Sequence, residues 1–233
     1  MTEQILKDKV ALIVGAGSGL SAAVARSLAG AGMRIALAAR TTDDLAMLAR
    51  DTGAATFAAD AADAAAVKRL FAEVGTAVGD PYAVIFNPSY RVRGPVVDLD
   101  PAEVERSLRV TAFGGFLVGQ EAARRMLPAG AGTIVFTGAS ASVKGYAQSA
   151  PFAMGKFALR GLAQSMAREL GPMGIHVAHV VVDGGIRSAS RPDGGEDRWL
   201  DPDAIAPSYL HLLRQHRSAW TFELEVRPWV EKF

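Results

Sequence analysis

A doubly wound α/β domain, with one seven-stranded, mainly parallel sheet and three helices on each face, is the architecture this sequence predicts. Three observations point there. Short apolar runs alternate with longer helical stretches, and a glycine-rich turn separates the first run from the first helix. The 233 residues, half of them hydrophobic, suit a single domain spanning 1–233 with one large core.

Strands are expected at Val10–Val14, Arg34–Ala39, Ala54–Ala58, Ala83–Asn87, Thr133–Thr137, His176–Val182 and Trp220–Val226. Helices are expected over Gly19–Ala31, Thr42–Thr52, Ala62–Val78, Pro101–Met126, Phe152–Leu170 and Pro202–Gln215. Gly30, Gly53, Gly79 and Gly171 stand near helix ends, where a left-handed cap is useful. One segment has loop composition: Ser188–Asp201, rich in Ser, Pro, Gly, Asp and Arg. Following the sixth strand, it is either a loop over the ligand-binding carboxyl edge of the sheet or a disordered surface loop.

The totals exclude several classes of function. Lys plus Arg number 25 against 24 Asp plus Glu, scattered rather than striped, so no footprint for nucleic acid or anionic lipid is present. A small-molecule partner is expected. No apolar run approaches the roughly 20 residues of a membrane-spanning helix. The opening Met1–Asp8 mixes charges and lacks an apolar signal core, which makes the cytoplasm the default location. With no cysteine, disulfides and thiolate chemistry are out, and any redox chemistry must come from a bound cofactor. His176, His179, His211 and His216 fall in no metal-binding pattern, so no metal is expected.

Between the first strand and first helix stands Val14-Gly15-Ala16-Gly17-Ser18-Gly19-Leu20-Ser21. Glycines in such a turn let the backbone approach a phosphate, whose charge meets the exposed N–H groups and positive end of the next helix. In the first βα turn of a seven-strand α/β pattern, this points to a Rossmann-type dinucleotide site.

The segment resembles T-G-x-x-x-G-I-G of the short-chain dehydrogenases/reductases, keeping Gly15 and Gly19 and departing at Val14 and Ser21. Further landmarks follow in order. Asp60 stands where the family's aspartate meets adenine, Phe86-Asn87-Pro88-Ser89 where it has N-N-A-G, and Lys156 at the lysine of Y-x-x-x-K. Gly184-Gly185-Ile186-Arg187-Ser188 resembles P-G-x-I-x-T. The resemblance covers about Val10 to Ser188; the ending Trp220–Pro228 is atypical. It implies cofactor contacts from Gly15, Gly17, Ser18, Gly19, Leu20, Asp60, Ala61, Asn87, Pro88, Lys156, Gly184, Ile186 and Ser188. It also implies a homodimer or homotetramer paired through Pro101–Met126 and Phe152–Leu170.

Cofactor choice turns on the end of the second strand, which reads Ala39-Arg40-Thr41 where NAD-dependent members place an acid. Arg40 can pair with a 2′-phosphate, with Thr41 beside it, and NADP(H) is the expected cofactor; the competing reading is a solvated loop arginine.

By resemblance the family's acid/base tyrosine, substrate-orienting serine, ribose-binding lysine and relay asparagine fall at Phe152, Ala139, Lys156 and Thr111. Only the lysine is retained. Phenylalanine has no exchangeable proton and serves as neither acid nor base. Ser140 adjoins the missing serine, while Tyr146 and Tyr90 are the nearby phenols; Lys156, Ser140 and Tyr146 form the candidate catalytic set. Two functions stay open: an NADP(H)-dependent oxidoreductase with an atypical active site, acting on a carbonyl, imine or enone, or a catalytically inactive sensor or structural subunit that kept the nucleotide pocket. A lined cavity beside the nicotinamide favours the first, and a cavity filled by side chains favours the second.

Overall fold

The computed structural model describes residues 5–188, 190–192, 195 and 197–231. Its centre is one sheet of seven strands: β1 (Val10–Val14), β2 (Arg34–Ala39), β3 (Ala55–Ala58), β4 (Pro81–Phe86), β5 (Gly132–Thr137), β6 (Ile175–Val182) and β7 (Glu223–Val226). The spatial order is β3-β2-β1-β4-β5-β6-β7, and every pairing is parallel. The strand order reverses between β1 and β4, which opens a crevice beyond their carboxyl ends.

Helices cover both faces, as a parallel sheet requires. Ala11, Ile13, Ile35 and Leu37 point into one layer with α1 (Leu20–Gly30), α2 (Ala46–Thr52) and α7 (Pro202–Arg214). Their neighbours Val10, Leu12, Val14, Ala36 and Ala38 point into the other, with α3 (Ala64–Ala77), α5 (Gly114–Met126) and α6 (Ala150–Leu170). Among the described residues, no helix is long and apolar enough to cross a membrane.

Three local readings need adjustment. The expected helix Pro101–Met126 is a rod of three parts: α4 (Pro101–Leu108), a π turn (Arg109–Phe113) and α5. The widened turn holds Thr111 fully buried, where its Oγ1 accepts the Tyr90 amide at 3.3 Å. It also presses Thr111 against Gly155 of α6, where a Cβ would come within 3.0 Å of the threonine Cβ. Single π turns of this kind concentrate at functional sites.

The last strand is shorter than Trp220–Val226, because side chains take over its first residues. Trp220 stacks on His176 with ring centres 4.9 Å apart, the His176 Nε2 donates to Thr221 O (2.9 Å), and Gln215 Oε1 accepts the Thr221 amide (2.8 Å). Strand β7 is instead pinned by Glu223, which takes a bidentate pair of 2.7 Å bonds from Arg160 of α6 and stands 3.0 Å from His179 Nδ1. The third adjustment concerns the loop after β6. Ile186 and Leu200 bridge its two ends, and Arg187 pairs with Asp201 at 2.6 Å. Ala189, Asp193, Gly194 and Glu196 of that loop lie outside the described residues, as does 1–4 of the opening segment.

Candidate functional site

The carboxyl ends of the strands frame two adjoining cavities that share Gly15, Gly17, Asn87 and Ser89. One, of about 1120 Å³, lies toward β2 and β3 and includes Arg40. The other, of about 900 Å³, lies toward β5 and β6 and includes Lys156.

The turn between the lobes is built for close approach. Gly15 has φ +81, and a Cβ there would fall 2.7 Å from Pro88 N, so only glycine fits beside the loop after β4. A side-chain relay fixes that contact: Asn87 Nδ2 donates to Ser21 Oγ (2.7 Å), which donates to Gly15 O (2.9 Å). Ser21, a departure from the family motif, thus finds a use that the sequence did not signal. Helix α1 begins at Gly19 with no side-chain cap and no acid in its first turn, and no atom lies within 4 Å of a Cβ added at Gly17 or Gly19. Uncapped N–H groups facing open space fit a dinucleotide's phosphates.

The Arg40 lobe gathers Gly15, Gly17, Ser18, Arg40, Thr41, Asp60, Ala61, Asn87 and Pro88. Asp60 Oδ1 accepts the Ala62 amide at 2.9 Å, which shapes the turn after β3. Arg40 is exposed and has no ion pair among the described residues, although Asp44 lines the same lobe. The sequence reading missed Arg106 and Arg109, which also line this lobe. Their spacing of three on one helix was the available signal. Tyr90 belongs here too. Its hydroxyl donates to Glu103 (2.7 Å), Arg106 lies 4.5 Å over its ring, and the bond to Glu103 raises its pKa. That phenol is engaged away from the Lys156 lobe.

The Lys156 lobe gathers Gly19, Leu20, Ser140, Tyr146, Phe152, Lys156, Gly184, Ile186 and Ser188. Every residue named from the sequence as a cofactor contact or in the candidate catalytic set therefore lines one lobe or the other. The family model of short chain dehydrogenases matches residues 9–197. The chain belongs to the short-chain dehydrogenase family. D-threitol dehydrogenase from Mycolicibacterium smegmatis is 34% identical over 224 residues, 89% of this chain and 86% of that protein. A short-chain dehydrogenase from Rhodopseudomonas palustris superposes with a TM-score of 0.84 at 33% identity, covering 96% of this chain and 100% of its own. A metagenomic short-chain oxidoreductase in complex with NADP has a TM-score of 0.84 at 26% identity, covering 97% and 99%.

Within this short-chain dehydrogenase fold, Lys156 is buried, and its Nζ donates to Thr137 O at 2.6 Å. Burial, with a smaller contribution from the Arg91 guanidinium, pushes its pKa down to about 7. Phe152 forms a wall of the lobe rather than a plug. Its ring is 5% exposed, Arg91 covers it at 4.1 Å from the centroid, and Lys156 Nζ stands 5.9 Å from the same centroid. On the other side of the lobe, Tyr146 keeps 46% of its surface exposed, and Lys144 Nζ lies 5.8 Å from its ring centre. The Tyr146 hydroxyl, and after it Asp183, raises the Lys144 pKa; Asp183 Oδ2 is 3.5 Å from that ammonium. Thr111 lines neither lobe and packs behind α6.

Proposed function

We propose that this chain is an NADP(H)-dependent oxidoreductase that reduces a small carbonyl, imine or enone substrate through an atypical proton donor, Tyr146. One observation carries the reading: about 900 Å³ stays open beside Lys156 and Phe152, room that a pocket filled by its own side chains would lack. A bound NADPH supplies the hydride. Lys156 holds the nicotinamide ribose, and the Ser140 hydroxyl orients the substrate oxygen. Tyr146 gives the proton, with the Lys144 ammonium 5.8 Å from its ring centre.

NADP(H) is favoured by the exposed guanidinium of Arg40 just after β2, which has no ion pair among the described residues, and the NADP-bound structural neighbour supports this choice. The D-threitol dehydrogenase relative supports hydroxyl or carbonyl chemistry. We assign the cytoplasm as the place of action and a homodimer or homotetramer as the assembly. Phe113, Phe116, Met154 and Phe157 are exposed along the π turn, α5 and α6, an apolar surface that a second copy would cover. A monomer in sedimentation at micromolar concentration would contradict that assembly.

The activity is tested by NADPH consumption over a panel of carbonyl, imine and enone compounds. Turnover by the native chain, reduced on the order of 10²-fold in Tyr146→Phe, is the expected result. Turnover that survives Tyr146→Phe unchanged removes Tyr146 from the mechanism. No turnover on any compound, with NADPH still bound, overturns the oxidoreductase reading in favour of binding without chemistry.

A further inference from the structure

Besides Arg187, which pairs with Asp201, three arginines meet at the Lys156 lobe from segments far apart in the chain: Arg91 and Arg93 from the loop after β4, and Arg191 from the loop after β6. We propose that they form an oxyanion subsite, which selects substrates bearing a carboxylate or phosphate beside the group that is reduced. This rests on the reading that the lobe is the substrate end of an oxidoreductase.

Arginines that only need solvation spread apart, because like charges repel and each guanidinium is better hydrated alone. Here they gather closely enough that Arg93 and Arg191 both depress the pKa of Arg91, after burial as the first cause. None of the three side chains has a hydrogen bond or ion pair among the described residues. Among the described residues, the carboxylates nearby do not neutralise them. Asp183 is paired with Lys144, Asp201 with Arg187, and Glu231 stands at the rim without an ion pair to the cluster.

Two of the guanidinia are also held in place. Arg91 lies 4.1 Å over the Phe152 ring and Arg191 lies 6.0 Å over Trp199. Stacking occupies the face of a guanidinium and leaves its in-plane N–H donors available, the arrangement that binds a carboxylate or phosphate bidentately. Phe152 thereby has a second role besides filling the tyrosine's place. It seats a fixed positive charge next to Lys156, which a phenol donating at the same spot would disturb. The cofactor's phosphates have their own cradle at Gly17, Gly19 and the uncapped start of α1, so the three arginines remain for another anion.

The test uses two matched probe pairs against the NADPH-saturated protein: benzoylformate with its methyl ester, and dihydroxyacetone phosphate with dihydroxyacetone. Affinity is read by calorimetric titration and turnover by NADPH consumption. At least one charged probe should bind on the order of tenfold to a hundredfold more tightly than its neutral partner. Added salt should erode that advantage. The pair that shows it identifies carboxylate or phosphate as the anion. The double variant Arg93→Gln/Arg191→Gln should remove most of the advantage while leaving the neutral partner unchanged.

Equal affinity within both pairs overturns the subsite. So does a double variant that weakens NADPH itself and leaves the discrimination intact, since the arginines would then serve the cofactor. The two readings fail separately. Neutral ketones reduced as well as charged ones leave the oxidoreductase standing without the subsite; charged probes bound tightly with no NADPH consumed leave the subsite standing without the oxidoreductase.

Discussion

The two lobes of the crevice follow different rules. The Arg40 lobe is lined by the glycine turn at Gly15 and Gly17, the turns after β2 and β3, and residues of α4 and the π turn across the crevice. The Lys156 lobe is built mainly from side chains, among them Ser140, Tyr146, Phe152 and Lys156, with Arg91 stacked on the Phe152 ring. A dinucleotide's phosphates need the same N–H geometry whatever the reaction, so the first lobe tolerates little change. The second is free to be rebuilt around a different substrate or proton donor.

The sharpest way to break this contrast is Phe152→Tyr. The change adds a hydroxyl beside Lys156, with Arg91 also near the ring, so two cations favour phenolate and a positioned acid is restored. If the lobe lacks only an efficient donor, carbonyl reduction should rise about 10²–10⁴-fold in an NADPH-consumption assay. An unchanged rate would mean that the native donor already suffices. A lost rate would mean that Arg91 must keep its seat on an unsubstituted ring.

Gly15→Ala tests the other lobe. The new Cβ meets Pro88 N at 2.7 Å in a left-handed backbone, so either the turn or the loop after β4 must shift. A stability loss of about 2–3 kcal/mol is expected in denaturant titration, together with weakened NADPH binding. Normal stability and affinity would show that the turn is less constrained than its geometry indicates.

Arg40→Ala is expected to weaken NADPH on the order of tenfold and leave NADH unchanged, as calorimetric titration would show. Equal affinity of the native chain for both cofactors would dismiss Arg40 as the phosphate partner. A pH-dependent effect concerns Lys156, whose pKa falls from 10.5 to about 7 on burial. Below pH 7 the ammonium is charged in the folded and unfolded chains, and its burial penalty acts in full. Between pH 7 and about 10 the unfolded chain binds the extra proton, so stability relative to Lys156→Met should rise with pH, by about 1.4 kcal/mol for each pH unit of that window. A flat difference across that window would mean that Lys156 is better solvated than its 3% exposure suggests.

Much of the Arg40 lobe was legible because its signals are local. Gly15 and Gly17 mark the turn along the chain, and Arg40 is placed by the strand it directly follows. The exceptions were Arg106 and Arg109, which reach the lobe from a helix across the crevice. In the Lys156 lobe the sequence located Ser140, Tyr146 and Lys156 by position, yet Tyr90 fell in the opposite lobe with its hydroxyl committed to Glu103. Nothing in the spacing of Tyr90 foretold that, since its partner lies on another element.

The alternation of apolar runs, the glycine turn and the family landmarks determined from sequence alone a parallel, doubly wound sheet with a glycine turn at its carboxyl edge and a phenylalanine four residues before Lys156. Those depend on periodicity and on residue chemistry, both of which are written along the chain. Only the tertiary structure decided that Phe152 is a wall rather than a plug, that Tyr146 meets Lys144, and that Arg91, Arg93 and Arg191 converge without an ion pair among the described residues. Convergence is a property of distances between segments, set when both layers close on the sheet, and the order of residues along the chain carries it only indirectly.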